Sequence, residues 1–393
     1  MEEKIEIPIP EEYSDICPIS DAEFQAKMAL MVKEPGFEHA IRYVMHDVDF
    51  DAFCQGLMAI KSKNEFQIKI MQPFLAMLEA KTTNGISWGG LENLNKDTNY
   101  TFITNHRDIV LDASFMNVAL LRGGFDSTEV AIGNNLLILD WIETLVRLNK
   151  CFIVKRDNSI KQALESAIQL SSYIHFCINK KHESVWIAQR EGRCKDSNDL
   201  TQESLIKMLG IAGGNNLVEN LMQINIAPVA ISYEFDPNDY LKAREFLLKR
   251  RDPEFKKTQR DDLFSMETGL LQYKGRVHFE FTPCINAQLR GIFHPEDKSE
   301  SAKLVCTTVD KSIHSHYHIF PNGYMAYDLL NGTERFTDQY TPQDLDNFKN
   351  YLANQLAKVE VDDITAEEHK YLNEIVLKMY ANPLINQLRI KGL

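Results

Sequence analysis

The sequence predicts an α/β fold in which a mixed, mainly parallel sheet is covered by helices, with further helical regions before and after it. Between residues 100 and 235, short β-prone runs alternate with stretches in which apolar residues recur at helical spacing. This alternation is typical of parallel strands joined by crossover helices. The predicted strands are Tyr100–Thr104, Glu129–Ile132, Phe152–Val154, Ser184–Ala188 and Ile226–Tyr233. The helices predicted between them are Ser114–Leu121, Leu136–Leu148, Ile160–Ile174 and Gln202–Leu209.

The regions on either side of the sheet are predicted to be mostly helical. Residues 21–81 carry Met and aromatic residues at helical spacing, which favours packed helices. The segment 82–98 is rich in Gly, Asn and Thr and is interpreted as a linker. A later run, Gly275–Phe281, alternates apolar and polar residues, and we expect it at the edge of the sheet. The predicted organisation is a helical N-terminal region (1–98), an α/β domain (99–298) and a helical C-terminal region (299–393).

Composition and charge limit the class of protein. Of the 393 residues, 44% are hydrophobic and 25% are charged, as in a globular protein rather than a disordered chain. The formal net charge of −13 argues against a nucleic-acid partner, which would need a basic surface. The seven Cys residues are scattered without CxxC spacing, so neither a disulfide framework nor a zinc site is predicted. The N-terminus lacks a signal-peptide pattern and no apolar run is long enough to span a bilayer, so we expect a cytoplasmic protein.

Two further patterns bear on function. Eight Lys and Arg residues lie between Lys242 and Arg260, and this basic stretch is interpreted either as a solvated helix face or as a patch for lipid headgroups. The run HSHYH places His314, His316 and His318 at alternate positions, but no carboxylate or Cys lies beside them. No metal site is therefore predicted.

The stretch TFITNHRDIVLD, from Thr101 to Asp112, carries the strongest functional signal. A short strand stops at Asn105, and His106 follows with two carboxylates, Asp108 and Asp112, before a helical pattern begins. α/β enzymes place reactive groups where a strand leads into a helix. A His held in one tautomer by a carboxylate is suited to act as a general base.

Three later stretches add candidate binding residues. NKCFIVKR ends in Lys155 and Arg156, and IAPVAISYE carries Pro228 near its start. Between them, WIAQREGRCK contains four candidates: Glu191, Gly192, Arg193 and Lys195. Cations at strand ends beside a Gly, which lets the backbone approach a ligand closely, predict a site for phosphate or carboxylate. The alternative is that these cations are ordinary surface charges and that Arg193 simply pairs with Glu191.

Taken in this order, the four stretches resemble the glycerolipid acyltransferase superfamily, which includes glycerol-3-phosphate and 1-acylglycerol-3-phosphate acyltransferases. That family has a His-and-Asp motif, a strand of the type FI(K/R)R, an EG(x)R block and an apolar strand with an early Pro. The resemblance covers residues 100–281. It departs from the family in two places. Five residues instead of four separate His106 from Asp112, so either Asp112 still orients the His or Asp108 has taken that role; we favour Asp112. The EG(x)R block is contracted, because Arg193 directly follows Gly192.

The resemblance implies an acyltransferase of the glycerol-phosphate type. The expected reaction moves a fatty acyl group from acyl-CoA or acyl carrier protein, as co-substrate, to a hydroxyl of glycerol-3-phosphate or a related phospholipid precursor. No cofactor or metal is expected. A soluble or peripheral protein is expected, with any membrane contact at the inner face of the membrane, and a nucleic-acid partner is not expected. Two alternatives stand beside it: a thioesterase using the same site, and a non-catalytic protein that binds lipid or acyl carrier.

The resemblance also implies roles for the candidate residues. His106 would be the general base, oriented by Asp112 or Asp108. Backbone amides from Val154 to Arg156, aided by Lys155, would stabilise the oxyanion. The anionic head of the acceptor would be held by Arg156, Arg193 and Lys195. Glu191 would order that loop by pairing with one of these cations, and Gly192 would let the turn close.

Overall fold

The computed structural model describes residues 7–45, 47–156, 159–292 and 297–393. Seven strands of these residues form one sheet: β1 (Ile86–Gly89), β2 (Thr101–Thr104), β3 (Glu129–Gly133), β4 (Cys151–Val154), β5 (Val185–Ala188), β6 (Ile226–Tyr233) and β7 (Val277–Phe281). The strand order is β1-β7-β6-β2-β5-β3-β4. All neighbours are parallel except β6 and β7. The predicted mixed, mainly parallel sheet is confirmed.

The edge of the sheet differs from the prediction. The segment interpreted as a linker contains β1, which pairs in parallel with β7. Strand β7 therefore lies one position inside the sheet, and β1 forms the edge. The linker and edge predictions were wrong because β1 has only four residues and lies in a segment rich in Gly, Asn and Thr. Four residues are too few to show an alternating pattern. Its pairing partner also lies far downstream in the sequence.

The N-terminal region is helical, as predicted. Its helices are α1 (Asp21–Met31), α2 (Pro35–Val44), α3 (Phe50–Met58), α4 (Lys63–Phe66) and α5 (Gln72–Thr82), with a π-helical turn at Gln67–Met71 between the last two. The predicted apolar face is buried: Phe24, Met28 and Met31 lie in a cluster that also contains Leu148. This cluster attaches the N-terminal helices to the α/β region.

The α/β region supplies the helices that cover the sheet. They are α6 (Leu111–Arg122), α7 (Asp140–Leu148), α8 (Ile160–Phe176), α9 (Glu203–Leu209), α10 (Leu217–Met222), α11 (Asp239–Arg251), α12 (Gln259–Leu271) and α13 (Asn286–Leu289). Short 3₁₀ or π-helical turns occur at Glu11–Tyr13, Leu91–Asn93, Asn134–Leu136 and Cys177–Lys181. Successive strand residues enter opposite cores: Ile103 and Ile187 pack with α8, α9 and α14 (Lys298–Ser315), whereas Phe102 and Trp186 pack with α5 and α6.

The C-terminal region is helical, as predicted. It begins with α14 and continues with α15 (Pro321–Asn331), α16 (Pro342–Leu356) and α17 (Ala366–Lys391), with a 3₁₀ turn at Thr337–Gln339. Helix α17 packs against α11, α14 and α15. The C-terminal region is thus joined to the α/β region through a shared apolar core. Among the helices of the described ranges, none combines the length and the apolar character needed to cross a membrane.

Candidate active site

The position of the candidate site is set by Asn105, the residue directly after β2. Its side-chain amide donates to the carbonyl of Ile231 at 2.9 Å, and its side-chain oxygen accepts from the N–H of Ile231 at 2.8 Å. The fully buried side chain thereby continues the hydrogen bonding between β2 and β6 beyond Thr104. The main chain is released from the ladder at this point, and it carries His106 out at the carboxyl end of the strand.

His106 is paired with Asp112. Its Nδ1 lies 2.8 Å from Oδ2 of Asp112, and the carboxylate is fully buried in the first turn of α6. The same oxygen accepts from the backbone N–H groups of Arg107 at 2.6 Å and Asp108 at 3.1 Å. A carboxylate held by backbone donors near a helix N-terminus is fixed in position and stabilised as an anion. Because Nδ1 donates to it, Nε2 is the nitrogen left to act as a base.

Asp108 has a different environment from Asp112. Its Oδ1 accepts from the N–H groups of Val110 at 2.9 Å and Leu111 at 2.8 Å, which caps the start of α6. Its Oδ2 accepts from the side-chain amide of Asn238 at 3.3 Å. Burial, together with the negative charge of Asp112, raises the pKa of Asp108. The sequence left open which of the two carboxylates contacts His106. In the structure Asp112 does so, and Asp108 instead bonds to backbone N–H groups within the longer loop.

The cations at the end of β4 are both engaged by carboxylates. Lys155 forms an ion pair with Asp15 and donates to Gln169 at 3.0 Å. The side chain of Arg156 lies 3.1 Å from Glu191, and its backbone N–H donates to Asn134 at 3.1 Å. That amide is therefore already satisfied, which is unfavourable for the oxyanion role expected of it. The Arg156–Glu191 pair joins the end of β4 to the loop after β5.

The loop after β5 brings several cations together. Gly192 has φ +67°, a left-handed conformation that favours glycine. Arg193 has a buried Nη1 for which no hydrogen-bond partner occurs among the described residues. Lys195 forms an ion pair with Glu245 on α11, and burial lowers its pKa to about 8 despite this pairing. The loop thus points part of its positive charge inward rather than to solvent.

Sequence reasoning missed Arg190. It directly precedes Glu191, and its Nε is buried with no hydrogen-bond partner in the described parts of the chain. It lines the same cleft as Arg193. The signal was present in the run REGR, where two Arg residues flank the Glu–Gly pair. In the contracted EG(x)R block only Arg193 occupies the position of the family's Arg, so the motif does not indicate Arg190.

A large cleft connects these groups. Its volume is 1410 Å³, above the roughly 300–1,000 Å³ typical of small-ligand pockets. His106 and Trp186 line it, together with the basic residues Lys155, Arg156, Arg190, Arg193, Lys195 and Lys257. The rest of the wall is mostly apolar and comes from helices α2, α5, α6, α7 and α12; examples are Val44, Phe74, Leu121, Ile142, Leu145 and Met266. A long apolar chain and an anionic group can therefore bind side by side next to His106.

The other sequence patterns lie outside this cleft or are neutralised. In the basic stretch, Lys242 is buried against Asp236, while Arg250 and Arg251 pair with Glu367 and Glu368. Such pairing favours the solvated helix face over a lipid-headgroup patch for the outer cations. The three His residues of HSHYH make separate contacts, with the Asp199 carbonyl, the Ser312 carbonyl and the His278 ring. No group of three metal-ligating side chains occurs in the described ranges.

The fold and the site together place a His–carboxylate pair beside an apolar cleft, at the end of a parallel strand of an α/β sheet. The sequence model of the family described as Acyltransferase matches residues 85–232. The matched segment contains the first three motif stretches, the fourth as far as Ser232, and also β1. The resemblance to the glycerolipid acyltransferase superfamily is thereby confirmed for residues 85–232.

The chain also matches solved structures. The crystal structure of the 1-acyl-sn-glycerophosphate (LPA) acyltransferase PlsC from Thermotoga maritima covers 73% of this chain and 94% of its own, with 12% sequence identity and a TM-score of 0.34. The comparison with curated proteins found no match.

Proposed function

We propose that this protein transfers a fatty acyl group from acyl-CoA or acyl carrier protein to a hydroxyl of glycerol-3-phosphate or a related phospholipid precursor. The observation that carries the proposal is the His106–Asp112 pair, at 2.8 Å, on the wall of an apolar cleft that Arg190 and Arg193 also line. The proposal includes a cytoplasmic location with peripheral membrane contact, for which liposome flotation is the test.

His106 is the general base of this reaction. Its Nε2 removes the proton from the acceptor hydroxyl, and the oxygen attacks the thioester carbonyl. When the tetrahedral intermediate collapses, the C–S bond breaks and the imidazolium returns the proton to the leaving thiolate. Asp112 keeps the ring in the required tautomer and stabilises its charged form. General-base assistance of this kind contributes about 10²–10⁴-fold to the rate.

The binding groups serve two parts of the substrates, the phosphate of the acceptor and the chain of the acyl group. Arg190, Arg193 and Lys195 hold the phosphate of the acceptor, because a guanidinium matches phosphate with two parallel hydrogen bonds. Arg156 is paired with Glu191 and contributes mainly by holding that loop in place. The apolar wall takes the acyl chain, and burial of each methylene contributes about 0.8 kcal/mol. Neither role requires a metal.

The first experiment is a thiol-release assay with long-chain acyl-CoA or acyl carrier protein, with and without glycerol-3-phosphate. We expect release that depends on the acceptor. His106→Ala should reduce it by about 10²–10⁴-fold, and Asp112→Asn should reduce it far more than Asp108→Asn. Release that His106→Ala leaves unchanged would contradict the proposal.

Product analysis separates the alternatives. Mass spectrometry distinguishes an acylated acceptor, which supports transfer, from free fatty acid, which supports a thioesterase. If no donor and acceptor pair gives release, while acyl-CoA still binds to both wild type and His106→Ala, the protein is a binding protein and the proposed reaction is wrong.

A further inference from the structure

Arg107 follows His106 directly, and its side chain turns into the protein rather than into the cleft. Only 5% of the side chain is exposed. Its guanidinium forms two hydrogen bonds to the fully buried carboxylate of Asp199, one of them at 3.2 Å. Asp199 lies just after the loop that carries Arg193 and Lys195. The side chain of Arg107 therefore ties the His106 loop to the anion-binding loop.

Asp199 is held in turn by the C-terminal region. The hydroxyl of Tyr317 donates to Oδ2 of Asp199 at 2.7 Å, and Nε2 of His314 lies 2.7 Å from its carbonyl oxygen. Both residues lie at the end of α14 or just beyond it. A third contact joins Asn382 of α17 to the carbonyl of Asp196 at 2.7 Å. Three contacts from the C-terminal region therefore converge on the segment that receives Arg107.

The backbone of Arg107 is held as firmly as its side chain. Its N–H donates at 2.6 Å to the same Asp112 oxygen that contacts His106. Its carbonyl accepts from the buried ammonium of Lys242 at 3.1 Å, and Lys242 is paired with Asp236. A change in the position of Arg107 would therefore reach the His106–Asp112 pair through one peptide group.

Burial of two cations and two carboxylates here is costly for folding, since the desolvation of buried charges can exceed the gain from pairing. An apolar contact would join the two segments at lower cost. Paired charges, however, fix distance and orientation, because a guanidinium and a carboxylate meet in a single planar arrangement. A general base benefits from such fixed geometry.

We infer that Arg107 is a positioning residue of the acyl-transfer site, and that its contact with Asp199, which Tyr317 also holds, makes the C-terminal region part of the catalytic apparatus. The inference rests on the proposed function of His106. It accounts for the extra residue between His106 and Asp112: the longer loop accommodates a capping carboxylate, Asp108, next to an inward Arg.

The test compares two hydroxyl deletions in the C-terminal region. Tyr317→Phe removes a hydroxyl donor to Asp199, whereas Tyr351→Phe removes a hydroxyl donor to the buried carboxylate of Asp239, at 2.8 Å, and Tyr351 has no hydrogen bond to Arg107 or Asp199. We expect Tyr317→Phe to lower kcat about tenfold and Arg107→Met about 100-fold, with KM changed far less, because small displacements of reacting groups have effects of this size. Tyr351→Phe should keep kcat within about twofold of wild type.

A second readout does not depend on activity. In protein labelled with ¹⁵N-histidine, the imidazole signals of His106, identified by their loss in His106→Ala, report its hydrogen bond to Asp112. They should shift in Tyr317→Phe and Arg107→Lys and stay at the wild-type position in Tyr351→Phe. Wild-type kcat together with wild-type His106 signals in Tyr317→Phe would overturn the inference, even if Arg107→Met does not fold. If wild type transfers no acyl group, the proposed function fails, and the His106 signals still decide whether the Arg107 contact positions the ring.

Discussion

Asp108 and Asp112 show how two carboxylates in one short loop acquire different tasks from their surroundings. Asp112 receives its hydrogen bonds from two backbone N–H groups and His106 on a single oxygen. Asp108 uses one oxygen for the N–H groups of Val110 and Leu111, so it stabilises the start of α6. The assignment of His106 to Asp112 follows from these contacts and not from the spacing in the sequence.

At the same scale, Lys195 predicts a pH dependence of substrate binding. Burial lowers its pKa to about 8, so its positive charge is present at pH 7 and is lost as the pH rises through 8. KM for the phosphate-bearing acceptor should therefore rise about tenfold between pH 7 and 9.5, because a charge-assisted hydrogen bond is lost. Lys195→Arg should keep KM nearly constant over this range, since the guanidinium stays charged.

Steady-state kinetics at fixed acyl donor checks this prediction. Lys161→Gln is the control, because Lys161 is largely exposed on α8 and pairs only weakly with Glu165 at 3.9 Å. It should show the wild-type pH dependence. If KM of Lys195→Arg rises with pH as much as KM of wild type, a group other than Lys195 titrates in this range.

At the scale of elements, the site depends on how closely α12 approaches the start of α6. Gly269 lies on α12, and a Cβ atom there would lie 2.0 Å from Oδ2 of Asp108. A glycine at this position lets the helix pack directly on the capping carboxylate. The loop of His106 is thus enclosed by its own helix α6, by α12 and by Asn238 just before α11.

This packing predicts opposite results for two Gly→Ala substitutions in helices. Gly269→Ala should destabilise the fold by about 1–3 kcal/mol through overpacking, and it should lower kcat because Asp108 is displaced. Gly56→Ala on α3 should stabilise the fold by about 0.5–1 kcal/mol, since a Cβ there meets nothing within 4 Å. Urea unfolding gives both values, and equal effects of the two substitutions would contradict the close packing of α12.

At the scale of the whole molecule, the C-terminal region is attached through buried polar contacts as well as through its apolar core. The hydroxyls of Tyr351 and Tyr380, from α16 and α17, both donate at 2.8 Å to Oδ2 of Asp239 at the start of α11. Burial, with a further contribution from Asp236, raises the pKa of Asp239 to about 6. This contact joins three helices at a single carboxylate.

The raised pKa of Asp239 predicts a dependence of stability on pH. Between pH 4 and 6 the folded protein holds a proton on Asp239 that the unfolded chain has released, so the free energy of unfolding falls as the pH rises through this window. The contribution of this group is at most about 3 kcal/mol. Asp239→Asn should remove this pH-dependent contribution. The free energy of unfolding of the variant, minus that of wild type, should therefore increase from pH 5 to pH 7.

Asp328→Asn is the control for this measurement. Burial opposes ionisation of Asp328, but hydrogen bonds from Thr333, Phe336 and Tyr340 lower its pKa. Asp328 is therefore fully ionised in the folded protein above pH 4. The difference in unfolding free energy between Asp328→Asn and wild type should be constant between pH 5 and 7. Urea unfolding at the two pH values gives both differences; a constant difference for Asp239→Asn as well would contradict the prediction.

Much of this protein follows from the sequence alone, because the information is local. Alternation of strands and helices predicted the parallel sheet, and the order of four short motifs predicted the acyltransferase resemblance. His106, at the end of a strand and before a helix, marked the candidate site together with the three later motifs. Patterns of this kind arise from backbone periodicity and from side-chain chemistry within a few residues.

Other features were decided only by the tertiary structure, because they depend on partners that are distant in the chain. The edge strand β1 exists through its pairing with β7, and the choice of Asp112 over Asp108 depends on the path of one loop. Nothing in the sequence singles out Arg107, whereas the fold buries its side chain against Asp199, which Tyr317 also contacts. Burial and pairing are properties of the folded chain, so a sequence pattern indicates which groups are present and the fold decides which of them meet.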